Sequence, residues 1–252
     1  MHIEILDLLD FITEANVLAV LTAILVGVAK TGVSGMAILV VPLIAMVFPA
    51  KESVGALLPM LIAGDILAVI YYRQHAQWGR LVKLVPGVAV GMLVGGLFLG
   101  QLNNESMRNF LGGFVLLLLV LEGIARHLNL DKFKQLHTFA VLIGIMAGFG
   151  TTVGNCAGPI MGIYLIMMGL DKKQFMGTGA WFFLIVNTSK LPIFIYHEMI
   201  GLDTLEFFAY MLPFIVIGTF LGRKLLTVLS QKIFNYLVLL FTALSSLWLL
   251  FL

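Results

Sequence analysis

Three charged residues stand where charge is expensive. Lys30 and Lys190 lie within apolar stretches, and Asp65 sits in the middle of another. An ionisable side chain inside an apolar span is costly and is by default a functional candidate. Around Lys30 the chain reads Lys-Thr-Gly-Val-Ser-Gly at 30–35, and a second polar interruption reads Thr-Thr-Val-Gly-Asn at 151–155. Ammonium, hydroxyl and amide groups all donate hydrogen bonds. Lys30, Thr31, Ser34, Thr151, Thr152, Asn155, Asn187 and Lys190 therefore form a candidate donor set for a small anion. Gly32 and Gly154 would let backbone approach a ligand closely, and Trp181 would wall the site.

Each residue has a plainer reading beside the functional one. Lys30 can form a structural salt bridge to Asp65, and either lysine can snorkel outward along its helix. Asp65 is either the carrier of a coupling proton or the neutralising partner of Lys30, and Asn187 cannot titrate. The hydroxyls and Asn155 can simply cap helices, Ser34 and Asn155 being good N-cap types, and Trp181 can be ordinary packing. The histidines are scattered near helix ends and loops, and Cys156 is alone. No metal set and no cofactor is expected.

These residues need elements to hold them. Hydrophobic residues make up 61% of the 252-residue chain and charged ones 11%. That is under half the charge of a soluble domain, too little to clothe a water-facing surface. The formal net charge of +2 is too small to suggest nucleic acid. A transmembrane helix needs about 20 apolar residues. Stretches at 53–72, 84–100, 109–125, 174–196, 207–222 and 233–251 qualify. Two others, 17–48 and 138–169, are too long for one span and too short for two, and the polar interruptions fall near their middles. Residues 1–16 carry four acids and no Lys or Arg. They read as an interfacial helix rather than a signal peptide.

The chain is also repeated. Lys-Glu-Ser-Val-Gly at 51–55 matches Lys-Gln-Phe-Met-Gly at 173–177, an offset of 122 that also pairs Gly32 with Gly154, Asp65 with Asn187 and His75 with His197. An offset of 127 then pairs Pro86 with Pro213, Gly91 with Gly218 and Gly95 with Gly222. The expected fold is an all-α polytopic membrane protein of two repeats, 17–127 and 128–252. Each is a broken segment (17–48 or 138–169) followed by three transmembrane helices.

Charge placement chooses between two threadings. If both broken segments cross, the eight crossings divide the basic residues seven to six. If each dips in and returns, six helices cross. Arg73, Arg80, Lys83, Arg126, Lys132, Lys134, Lys172, Lys173, Arg223, Lys224 and Lys232 then share one side, against Lys51 and Arg108 on the other. Only the second threading shows the positive-inside bias. Three crossings per half make the repeats inverted, with re-entrant segments and both termini outside. The second half-helix of each broken segment would aim its positive end at the midplane, an arrangement that suits an anion.

Gly-Val-Ala-Lys-Thr-Gly-Val-Ser-Gly-Met-Ala-Ile-Leu-Val-Val-Pro at 27–42 resembles the first signature of the sulfite exporter TauE/SafE family. Asn-Cys-Ala-Gly-Pro-Ile at 155–160 resembles the second, with Cys156 where alanine is usual. Gly-Thr-Gly-Ala-Trp-Phe-Phe-Leu-Ile-Val-Asn-Thr-Ser-Lys-Leu-Pro at 177–192 closely follows a third. The resemblance covers nearly the whole chain. It implies export or import of sulfite or an organosulfonate such as sulfoacetate across a bacterial inner membrane, with no ATPase.

The leading expectation is a secondary transporter working by alternating access, coupled to protons or to the membrane potential, and not an enzyme. A passive anion channel is the alternative, since both use positive helix ends at a constriction. An intramembrane serine hydrolase built on Gly32-Val33-Ser34-Gly35 lacks a buried histidine base. The expected partners are the anion and the lipid bilayer, without nucleic acid, and a homodimer is allowed.

Overall fold

The computed structural model describes residues 14–32, 37–127, 137–228, 230 and 233. Residues 1–13 of the interfacial segment expected at 1–16, residues 33–36 with Ser34 of the first break, and most of the stretch at 233–251 lie outside the described residues, while residues 14–16 begin a helix that runs to Thr31.

Everything described is helix, turn or short connection. The helices are α1 (Glu14–Thr31), α2 (Ala37–Ala45), α3 (Ala50–Tyr72), α4 (Trp78–Leu81), α5 (Val85–Leu99), α6 (Asn104–His127), α7 (His137–Gly154), α8 (Ala157–Met167), α9 (Lys172–Tyr196) and α10 (Leu202–Val228), with a 3-10 turn at Arg73–His75. Among the described residues, four helical stretches are long and apolar enough to cross a membrane: Ala50–His75, His137–Gly154, Lys172–Tyr196 and Leu202–Val228. At 1.5 Å per residue, α2 and α8 reach only about 14 and 16 Å, half of a bilayer core.

Helix directions follow from the contacts. α3 and α9 lie antiparallel: Gly55 meets Met199, Asp65 meets Asn187, and Gly177 meets the backbone of Tyr72 and His75. One end of the bundle therefore holds the starts of α3 and α10. It also holds the start of α6, where Asn104 accepts a hydrogen bond from the Lys51 amide at 3.1 Å. The opposite end holds the starts of α5 and α9. α1 runs parallel to α10, Ile24 against Gly218 and Val28 against Gly222. α7 runs parallel to α5, Gly144 against Leu84 and Val88, and Gly148 against Val88 and Met92.

Glycine makes these two pairings possible. A Cβ added at Gly218 would collide with the Ile24 carbonyl, and one at Gly91 with the Ile145 carbonyl. Small residues at such crossings let helix backbones touch, the usual basis of helix association in lipid. A large shared core, running from Ala19 and Val26 through Leu57, Met92 and Leu111 to Tyr164 and Ile215, fills the space between.

Candidate functional site

α1 ends at Thr31, where the chain breaks. The Thr31 hydroxyl donates to Gly27 O at 2.8 Å or Thr219 O at 2.9 Å, and its carbonyl accepts from Tyr72 Oη at 2.8 Å. Gly32 is pressed against the Gly222 backbone. These bonds fix the end of α1 against α10 and α3, and so place Lys30, one residue earlier. Lys30 Nζ lies 2.7 Å from Asp65 Oδ1, with the aspartate fully buried. It also stands 4.3 Å from the centre of the Phe183 ring, within cation–π range.

α7 ends at Gly154. Asn155 follows with φ of 56°, a left-handed conformation that asparagine tolerates better than most residues. Asn155 N–H bonds to Thr151 O and Cys156 N–H reaches back to Gly150 O, each at 3.0 Å, closing the helix. The N-cap of α8 is Cys156, which makes no side-chain capping bond. The expectation that Asn155 caps the second half-helix is thus corrected. Its side chain is used elsewhere, Nδ2 donating to Val54 O at 3.0 Å and Oδ1 accepting from Lys190 at 2.6 Å.

Lys190 does not snorkel. It is fully buried, and Nζ also donates to Thr151 O and Thr151 Oγ1, both at 2.9 Å. Its three acceptors are neutral. Among the described residues, the buried ionisable side chains are Lys30, Lys190 and Asp65.

Asp65 and Asn187, equated by the repeat, bond directly: Nδ2 of the amide donates to Asp65 Oδ2 at 2.6 Å. Between them and α8 lies a narrow cavity. Lys30, Asp65, Thr151, Asn155 and Asn187 supply polar groups to its wall. The first turns of α8, through Gly158, Met161 and Gly162, also border it. Helix starts carry unpaired amides and partial positive charge.

Five of the sequence-predicted residues therefore line one cavity. Lys190 stands behind it, holding Thr151 and Asn155. Thr152 bonds to Gly148 O at 2.8 Å, and Gly154 packs on Leu111, so both serve the packing of α7. Trp181 does not line the cavity; it meets Trp78 at 5.2 Å between ring centres. The aromatic walls are Phe175 and Phe183 instead. Gly179, Phe183 and Asn187 recur every four residues on α9, a helical face that the sequence displays.

The sequence profile of the sulfite exporter TauE/SafE family matches residues 19–249. The chain belongs to the sulfite exporter TauE/SafE family. That membership implies a membrane transporter of sulfur anions rather than an enzyme. Comparison with curated proteins and with solved structures gives no further match. The buried lysine and polar groups on the cavity wall are compatible with such a cargo, and no group of three or more metal-ligating side chains occurs among the described residues.

Proposed function

We propose that the chain is a secondary transporter carrying sulfite, or an organosulfonate such as sulfoacetate, across the bacterial inner membrane by alternating access. The observation that carries this reading is the cavity itself. Lys30 and Asp65 reach it from the first half of the sequence, Thr151, Asn155 and Asn187 from the second, and Lys190 lies buried behind it. Lys30 and the first backbone amides of α8 bind the anion, while Lys190 keeps the Thr151–Asn155 turn in place. Asp65, paired with Lys30 in this state, carries the coupling proton at another stage of the cycle.

Two inverted repeats, 17–127 and 128–252, with re-entrant segments at 17–48 and 138–169, fit the helix directions. α1 and α3 run the same way although only residues 32–49 separate them, so the chain returns in between. α7 and α9 stand in the same relation across α8, from the opposite end of the bundle. Gly218 meets Ile24 while its repeat mate Gly91 meets Ile145, one residue from the position that the offset gives. Arg73, Arg80, Lys83, Lys172, Lys173, Arg223 and Lys224 fall near one end, which by the positive-inside rule faces the cytoplasm and leaves both termini periplasmic.

The halves are not in the same state, which supports alternating access. α10 packs along α3, but the equivalent pair, α5 and α9, is parted by an open apolar crevice lined by Val85, Met92, Phe182 and Val186. Exchange of the two arrangements would expose the cavity to opposite sides in turn.

The test is flux of radiolabelled sulfite and sulfoacetate into proteoliposomes holding the purified chain. Saturable uptake, stimulated by an inward proton gradient, is expected. Uptake equal to that of empty liposomes would defeat the proposal, and unsaturable conductance would mean a channel.

A further inference from the structure

Asn187 presents an unexpected loose end. It is 1% exposed and borders the cavity, yet its Oδ1 has no hydrogen-bond partner among the described residues. The amide cannot simply be turned over. Its Nδ2 donates to Asp65 Oδ2 at 2.6 Å, and an ionised carboxylate only accepts. Reversal would set oxygen against oxygen. The other Asp65 oxygen is taken by Lys30 at 2.7 Å. Asn187 is therefore held with an acceptor to spare, and a buried acceptor left unpaired is unfavourable.

A ligand resolves this only if it brings a donor. We infer that the cavity selects an oxyanion that still carries an O–H group, hydrogen sulfite before sulfite or an alkylsulfonate, and that Asn187 is the residue that reads the hydroxyl. This rests on the cavity being the substrate site. Lys30 meets the charged oxygens and Asn187 Oδ1 accepts from the hydroxyl. A fully deprotonated anion offers only lone pairs there and meets repulsion. Sites built to bond a ligand hydroxyl reject analogues without one strongly, because the site's own polar group is then stranded.

Methanesulfinate is the matched probe, a monoanion of similar shape with a methyl in place of the hydroxyl. Binding of hydrogen sulfite, methanesulfinate and sulfate to the full chain in detergent, measured by calorimetry in mildly acidic buffer, tests the inference. Hydrogen sulfite is expected to bind about ten- to a hundredfold more tightly than methanesulfinate, with sulfate weakest. Asn187→Ala is expected to abolish that preference, hydrogen sulfite binding falling to the affinity of methanesulfinate. Equal affinities of the native chain for the two monoanions would overturn the inference while leaving the transport reading intact. Absence of binding by either would overturn both. The native ranking decides the matter even if the variant fails to fold.

Discussion

Removing Lys30 alone and removing it together with its partner separate structure from function. Lys30 Nζ sits 2.7 Å from a carboxylate that no solvent reaches. Lys30→Met leaves Asp65 charged, buried and bonded only to the Asn187 amide. Breaking such a pair by deleting one partner costs roughly 3–5 kcal/mol. Lost contact with Phe183 adds about 0.5–2 kcal/mol. The double variant Lys30→Met, Asp65→Asn removes both charges and gives Asn187 a neutral amide partner. Replacing a buried pair with neutral groups of similar size is often neutral, so stability is expected to return to within about 1.5 kcal/mol of the native chain. Anion binding is not restored. A lost charge-assisted hydrogen bond of about 1.5–3 kcal/mol weakens affinity about 10- to 150-fold. Thermal unfolding in detergent reads the first quantity and the concentration dependence of sulfite uptake reads the second. A double variant with native stability and native uptake would refute the role given to Lys30.

Other outcomes follow from the same geometry. Lys190→Met leaves the Thr151 and Asn155 oxygens without a donor at about 1–3 kcal/mol each, partly offset by removal of a buried charge. Sulfite affinity is expected to fall along with stability, which a melting curve and a binding isotherm check together. Gly218→Ala and Gly91→Ala drive a methyl into a neighbouring carbonyl and are each expected to destabilise by about 1–3 kcal/mol. Gly113→Ala, on α6 with open space around it, should be neutral or stabilise by up to about 1 kcal/mol. Phe183→Leu keeps the cavity apolar but removes the ring beside Lys30, and is expected to raise the sulfite half-saturation concentration by about two- to fivefold with little effect on yield.

Much of this was legible because polar residues stand out in an apolar chain. The breaks at 30–35 and 151–155 announced themselves, and α7 does end at Gly154. The span expected at 207–222 is longer, Leu202–Val228, because Asp203, Glu206, Arg223 and Lys224 read as loop although terminal helix turns carry them. The repeat equated Asp65 with Asn187, but nothing in one strand of letters says that two equated residues meet. Lys190 was open between snorkelling and function because its acceptors, Thr151 and Asn155, belong to another helix. Trp181 drew attention by size, whereas the cavity wall follows the face of Gly179, Phe183 and Asn187. Asn155 has the chemistry of an N-cap, but its left-handed backbone closes α7 and turns its amide toward Lys190 and Val54.

The account depends most on two helical hairpins that turn back inside the bundle from opposite ends. Single cysteines at Gly79, Lys173, Glu105 and Gly201, placed in a Cys156→Ala background and probed with an impermeant thiol reagent in intact cells and inverted vesicles, test this directly. Positions 79 and 173 should label only in inverted vesicles and positions 105 and 201 only in intact cells. Labelling of position 173 from the side opposite position 79 would make the segment at 138–169 a crossing and contradict the account.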